Sequence, residues 1–193
     1  MLKLSRTDLL TLEAYSAQRN DLRKRALAHK RLRTLHLGEH FTLLFEDGIT
    51  VQAQVQEMLR IERIFDAAGI QEELDAYNPL IPDGTNLKAT LLIEYADPAE
   101  RAVELARLRG IERAFFADAA GHGRATLFVD EDLDRSDDDK TSAVHFMRFE
   151  FSSGAIAALK SGAALSFGID DPRTPLRVEA SESLRAALRE DFD

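Results

Sequence analysis

Short strand-like runs follow one another in this chain with only turn residues between them, and that spacing narrows the possible folds most. Residues 33–37 and 41–45 are separated by little more than Gly38-Glu39, and Asp47-Gly48 closes the second run. Strands joined so tightly pair antiparallel, because a parallel pair needs a crossover of about a dozen residues or more. Residues 111–117 and 125–129 read as a second hairpin around 119–124, and 88–95, 144–151, 164–169 and 176–178 complete the strand-like runs. Helical patterning is concentrated earlier. Thr7 is expected to cap a helix to residue 17, and Asn20 or Asp21 to restart one over 22–31. A helix over 50–67 should end at Gly69, with another over 70–77. Pro98 opens a helix to residue 109, residues 153–160 form a short one, and Ser181 caps the last. The expected fold is α+β, with a largely antiparallel sheet and helices concentrated in the N-terminal half. Residues 1–193 should form one domain, with 1–32 a helical N-terminal segment and 189–193 a frayed tail.

No cysteine is present, which excludes disulfides, thiolate metal sites and a cysteine nucleophile and fits a reducing cytoplasm. No apolar run approaches the ~18 residues of a membrane span. The opening MLKLSRTDLL lacks an apolar core leading to a cleavage site, so neither a signal peptide nor a membrane location is expected. The net charge of −9 is unevenly spread: residues 1–40 hold nine Lys/Arg against four Asp/Glu, and the remainder sixteen against thirty. Arg19, Arg23, Lys24, Arg25, Lys30 and Arg31 concentrate the positive charge and form a candidate partner-binding surface. Its counterpart is the acidic remainder of the chain, an acidic partner or nucleic acid. The overall negative field and the lack of interleaved aromatics weigh against nucleic acid. Residues 130–139 carry seven carboxylates but lack the central glycine and ligand spacing of a calcium loop, so a solvated loop is expected.

In a continuous helix from Val51, Glu62 falls among Val51, Val55, Met58 and Phe65. A carboxylate at the centre of an apolar stripe needs an arginine, a proton or a metal. His145 shares the apolar face of its strand with Met147, Phe149 and Phe151, while Glu94 shares a face with Leu92 and Thr90. Converging, Glu62, Glu94 and His145 would suit iron, manganese or zinc. Separately, they are a histidine satisfied in the core and glutamates paired with arginines such as Arg148. The paired Glu-x-x-His and the His-Glu-x-x-His patterns are absent, as are the Gly-rich phosphate loops and the G-x-S-x-G elbow. The proline-framed loop after Tyr77 either punctuates the fold or presents Asn78, Asp83 and Lys88, with Tyr77, to a ligand.

Several pieces carry a resemblance: Gln56-Glu57-Met58-Leu59-Arg60, Glu72-Glu73-Leu74, the 77–84 loop and Asp139-Lys140-Thr141-Ser142-Ala143-Val144-His145-Phe146. Through these the chain resembles the bacterial family known as domain of unknown function 3501. The likeness runs from residues 4–15 through 144–151 and 166–172. That family brings no activity or catalytic residues. The resemblance does imply gene neighbours encoding rubrerythrin and an iron–sulfur oxidoreductase-like protein. Such a redox protein is then the implied partner, and iron or peroxide metabolism the implied setting. Three readings follow: an accessory protein to such a partner, a carboxylate–histidine metal protein or metalloenzyme, and a nucleic-acid binder.

Overall fold

The structure, a computed structural model, describes residues 3–131 and 140–192. Among them, strands β1 (Thr34–Leu37), β2 (Phe41–Phe45), β3 (Asn86–Ile93), β6 (Thr126–Val129) and β7 (Val144–Glu150) form one sheet, ordered β1-β2-β3-β7-β6. Strands β4 (Phe115–Ala119), β5 (Gly123–Arg124), β8 (Leu165–Ile169) and β9 (Leu176–Glu179) form a second, ordered β5-β4-β8-β9. Every pairing is antiparallel, as the short connections require. The fold is α+β.

Alternation places the core. Along β3, Leu87, Ala89, Leu91 and Ile93 are buried while Lys88, Thr90 and Leu92 are half-buried on the other face. His145, Met147 and Phe149 of β7 point the same way as the buried set of β3. The two sheets meet through their rings: Phe167 of β8 lies 5.0 Å from Phe45 and 5.8 Å from Phe149. Helices α4 (Pro98–Arg107), α5 (Ser153–Lys160) and α6 (Glu182–Arg189) add Leu105, Leu159 and Leu188 to this core. A second, smaller core of Val51, Val55, Leu59, Leu74 and Ile81 joins α2 (Gly48–Glu62) and α3 (Ala67–Tyr77). Helix α1 (Leu12–Leu32) packs on α2.

The second hairpin is only partly as expected. Residues 111–114 form a 3-10 turn, β4 pairs with the two-residue β5 and with β8, and β6 crosses to pair with β7. Ala125 is the crossover between sheets. Helix α1 starts from the Thr11 cap, whose side chain accepts from the Ala14 amide, and runs unbroken past Asn20 and Asp21. Both residues are exposed, and a cap-forming side chain on a solvated face does not break a helix. Thr7 instead lies in a 3-10 turn. Helix α2 stops at Glu62 because Arg63 is left-handed (φ 56°), and Asp66 then caps α3 by accepting from the Gly69 amide. The tail expected to fray is packed: Asp191 and Phe192 are buried, and Phe192 stands edge-on to Phe151 at 5.5 Å. The acidic run lies outside the described residues except for Asp130 and Glu131.

Gly168 of β8 is where a side chain cannot be accommodated. A Cβ there would stand 2.2 Å from the Leu176 carbonyl oxygen and 2.4 Å from the Phe116 ring. Because the first contact is backbone, β8 and β9 would have to separate. Gly168→Ala is expected to cost about 2–3 kcal/mol and lower Tm by about 4–12 °C, read by calorimetry. An unchanged Tm would show that the strands separate freely.

Candidate functional site

One stripe of α1, with members three or four residues apart, faces the rest of the protein: Tyr15, Arg19, Leu22, Ala26, His29 and Arg33 at the C-cap. Tyr15 is the buried residue of the helix itself. A helix this polar is held by its pairings, and they gather at its two ends. Near the start, Tyr15 donates to Glu57 Oε1 at 2.6 Å, and Arg19 donates to both Glu57 oxygens at 2.7 and 3.0 Å. Arg60 adds a third donor at 3.2 Å. The Arg19 hydrogen bonds are the largest influence holding the Glu57 carboxyl down at about 2, and burial with the adjacent Glu57 pushes the Tyr15 phenol up to about 12. At the far end, His29 and Arg33 meet Asp47, and Arg33 also pairs with Asp191.

Between these clamps the stripe is small and apolar. Leu22 and Ala26 of α1, with Ile49 and Ala53 of α2, border an open groove of about 560 Å³. Leu10 and Leu27 extend its apolar surface; Leu10, Leu27 and Ile49 are 38%, 53% and 52% exposed. The N-terminal segment is held at its side by glutamines of α2. Gln52 donates to the Asp8 carbonyl, and Gln56 accepts from the Leu10 amide at 2.7 Å and donates to the Leu10 carbonyl at 3.3 Å. Arg23, Arg25 and Lys30 border the groove and form no ion pair with any described residue.

The candidate partner-binding set therefore divides. Arg19 is used internally; Arg23, Arg25 and Lys30 stand at the groove; Lys24 and Arg31 are exposed on the same helix. Glu57, the acceptor that neutralises part of the basic block, is marked in the sequence only by its place in the Gln56–Arg60 motif. Gln56, a polar residue of α2, is buried at 3% exposure. Its only sequence signal is its place in the Gln56–Arg60 motif.

The three metal candidates are not brought together. Glu62 is exposed at the end of α2, where the helix stops, while Leu59 of the same turn is buried in the smaller core. It forms no ion pair with a described residue, and its neighbour is another carboxyl, Glu73, raised by burial first and by Glu62 second. Glu94 lies just past β3, exposed, accepting from Thr42 at 2.6 Å on the face away from the core. His145 is fully buried on the opposite face, with both ring nitrogens engaged by Asp130, Thr141 and Ser142. Arg148 pairs with Glu131 and Glu150, not with either candidate glutamate. No group of three or more His, Asp or Glu suited to a metal ion occurs among the described residues.

The proline-framed loop is bound up with its own chain. Asn78 clamps the Leu4 backbone through both amide atoms, at 2.8 and 2.9 Å. Lys88 donates to the Pro79 and Ile81 carbonyls at 2.8 and 3.0 Å, and burial pulls its amino group below the usual lysine range. Asp83 accepts from Thr85 and Asn86, and Tyr77 packs against the smaller core. These contacts make the loop a brace between the N-terminal segment and β3.

A family model described as a protein of unknown function, DUF3501, matches residues 3–192. The chain belongs to the DUF3501 family. A solved structure, a novel protein of unknown function from Burkholderia pseudomallei K96243, is 48% identical over 100% of both chains with a TM-score of 0.94. No curated protein matches. The DUF3501 match covers the helical layer and both sheets, so the groove lies within the family's own domain. No helix among the described residues is long and apolar enough to cross a membrane.

Proposed function

We propose that this chain is an accessory protein that docks a partner protein in the groove between α1 and α2. The observation that carries the reading is an apolar floor left open between two ion-paired clamps and bordered by cations that form no ion pair with any described residue. Apolar surface exposed in one contiguous place marks an interaction site. Cations at its edge select and steer an acidic partner. Tyr15, the ring at the groove, is buried and donates to Glu57, so it offers bases no stacking platform, and the face favours a protein over nucleic acid. A cytoplasmic setting is part of the proposal, supported by the absence of cysteine. A role in redox or iron metabolism, beside a rubrerythrin-like or iron–sulfur protein, rests on the family resemblance alone.

The test is site-specific photocrosslinking in the source cells, with a photoreactive residue at Ile49 and a control at Val103, which is 66% exposed on α4. A discrete heteromeric product is expected at Ile49 and not at Val103. Mass spectrometry should identify an acidic protein in it, and Leu27→Arg should abolish it. Identical products at both positions would defeat the reading.

A further inference from the structure

The shape and chemistry of the groove specify what kind of segment it takes, granted that it docks a partner protein. From Tyr15 to Lys30, both at the groove, α1 advances about 22 Å at ~1.5 Å per residue. A helix of that length and ~10–12 Å diameter encloses about 1,700–2,500 Å³. The groove, about 560 Å³ and open to solvent, is too small to enclose that cylinder. It therefore admits one face of a helix, a ridge of side chains, and leaves the remainder in water.

An extended strand does not fit the chemistry. Strand addition needs a row of free backbone N–H and C=O groups. Here two walls are α-helices, whose backbone groups bond within themselves. The third wall, the N-terminal segment, has its Leu10 amide and carbonyl already taken by Gln56. Helix-in-groove recognition asks only for side chains, namely an apolar ridge at i, i+3/i+4 and i+7 and charges along its flank. Leu10, Leu22, Leu27 and Ile49 supply the apolar counterpart.

The cations set the flank. Arg23 and Lys30 are seven residues apart, so they stand on one side of α1 about 10 Å apart along its axis. Carboxylates seven residues apart on an approaching helix match that spacing. We propose that the groove binds an amphipathic α-helix of about four turns, apolar on one face and bearing carboxylates along one flank.

The probe is a fluorescein-labelled designed peptide of about eighteen residues, with a leucine ridge and glutamates on one flank. Two partners accompany it, one with the flank lysine-substituted and one with the same composition scrambled to break the ridge. Fluorescence anisotropy at low salt is expected to show the glutamate peptide binding and both others at least about tenfold weaker. In Arg23→Glu/Lys30→Glu the preference should invert, so that the lysine peptide binds better. Arg101→Glu, at an exposed residue of α4 that does not border the groove, should leave affinities unchanged. Circular dichroism confirms that each variant is folded.

Equal binding of ridge and scrambled peptides, or no response to the double reversal, overturns the proposal. Displacement of the peptide by a short single-stranded or duplex DNA at the same salt overturns it in favour of nucleic acid. An Ile49 cross-link in cells without peptide binding sinks the helical occupant and leaves the docking reading standing. Absence of both signals sinks the two together.

Discussion

Replacing Arg33 by methionine is expected to destabilise the protein by about 3–5 kcal/mol, the cost of leaving one member of a buried ion pair behind. For a chain of this length that lowers Tm by about 6–20 °C. Arg33 is 1% exposed, and its guanidinium ties four elements together. It donates to the Phe45 carbonyl at 3.2 Å, the Glu46 carbonyl at 3.1 Å and the Ala187 carbonyl at 2.8 Å. It also pairs with Asp191 and stands 3.4 Å from Asp47. Methionine keeps much of the stem's packing and supplies none of these bonds, so the carbonyls and the Asp191 carboxylate lose their donor together.

The loss should depend on pH, with a sign fixed by Asp191. Burial pushes its carboxyl up to about 7 against the pull of Arg33, and Oδ1 has no hydrogen-bond partner among the described residues. An unfolded aspartate titrates near ~3.9. The folded state thus holds the proton more tightly. The stability linked to Asp191 is fully present below about 4 and is lost as pH rises through about 7. In Arg33→Met the carboxyl has no cation to offset ionisation, so the variant's deficit should be larger at pH ~8 than at pH ~5. Urea unfolding of both proteins at each pH measures it. Equal deficits would mean that the missing carbonyl hydrogen bonds, and not the orphaned carboxylate, dominate.

Arg33 also shows where sequence reading reaches its limit. The antiparallel class was legible because short connections leave little choice, and strands β2, β3, β7 and β8 fall where alternation and turn residues put them. In the sequence Arg33 is legible only as the start of the 33–37 strand-like run and as one of nine Lys/Arg in residues 1–40. Its partner Asp191 is 158 residues away, in a tail whose charge suggests solvation. Burial of a charged residue depends on what arrives from elsewhere in the chain, and local pattern carries no trace of it. Glu62 failed for a related reason. Its place on an apolar face assumed a helix continuing past residue 62, but Arg63 turns left-handed and Glu62 is left exposed at the helix end. The groove was half legible: the basic side from composition, the apolar floor not at all, since Leu22, Ala26, Ile49 and Ala53 belong to two helices. The groove exists because small residues meet between clamps that only the folded chain assembles.

The second large effect is expected at His145, where the sequence pointed to a buried histidine and left its role between core and metal. His145→Ala should cost about 3–4 kcal/mol, from the cavity and from polar partners stranded without water. The ring has three partners, and the geometry makes all of them acceptors. Nδ1 lies 2.6 Å from an Asp130 carboxylate oxygen. Nε2 lies 3.1 Å from the Ser142 carbonyl and 2.8 Å from the Thr141 hydroxyl. Thr141 gives its own proton to Glu112 at 2.9 Å, so it too receives from the ring. The ring is sealed between Asp130 and Thr141, with both nitrogens engaged by the protein. Asp130 is shaped for this: it turns left-handed (φ 49°) at the end of β6, and its other oxygen accepts from the Phe146 amide at 2.9 Å. Metal content should be the same in wild type and His145→Ala. His145→Phe separates the contributions, since it fills the cavity and leaves the acceptors without donors. If it is as stable as wild type, the hydrogen-bonded chain contributes nothing and His145 is held by packing alone. If metal is present in wild type and lost in His145→Ala, the ring is a ligand and the sealed arrangement is wrong.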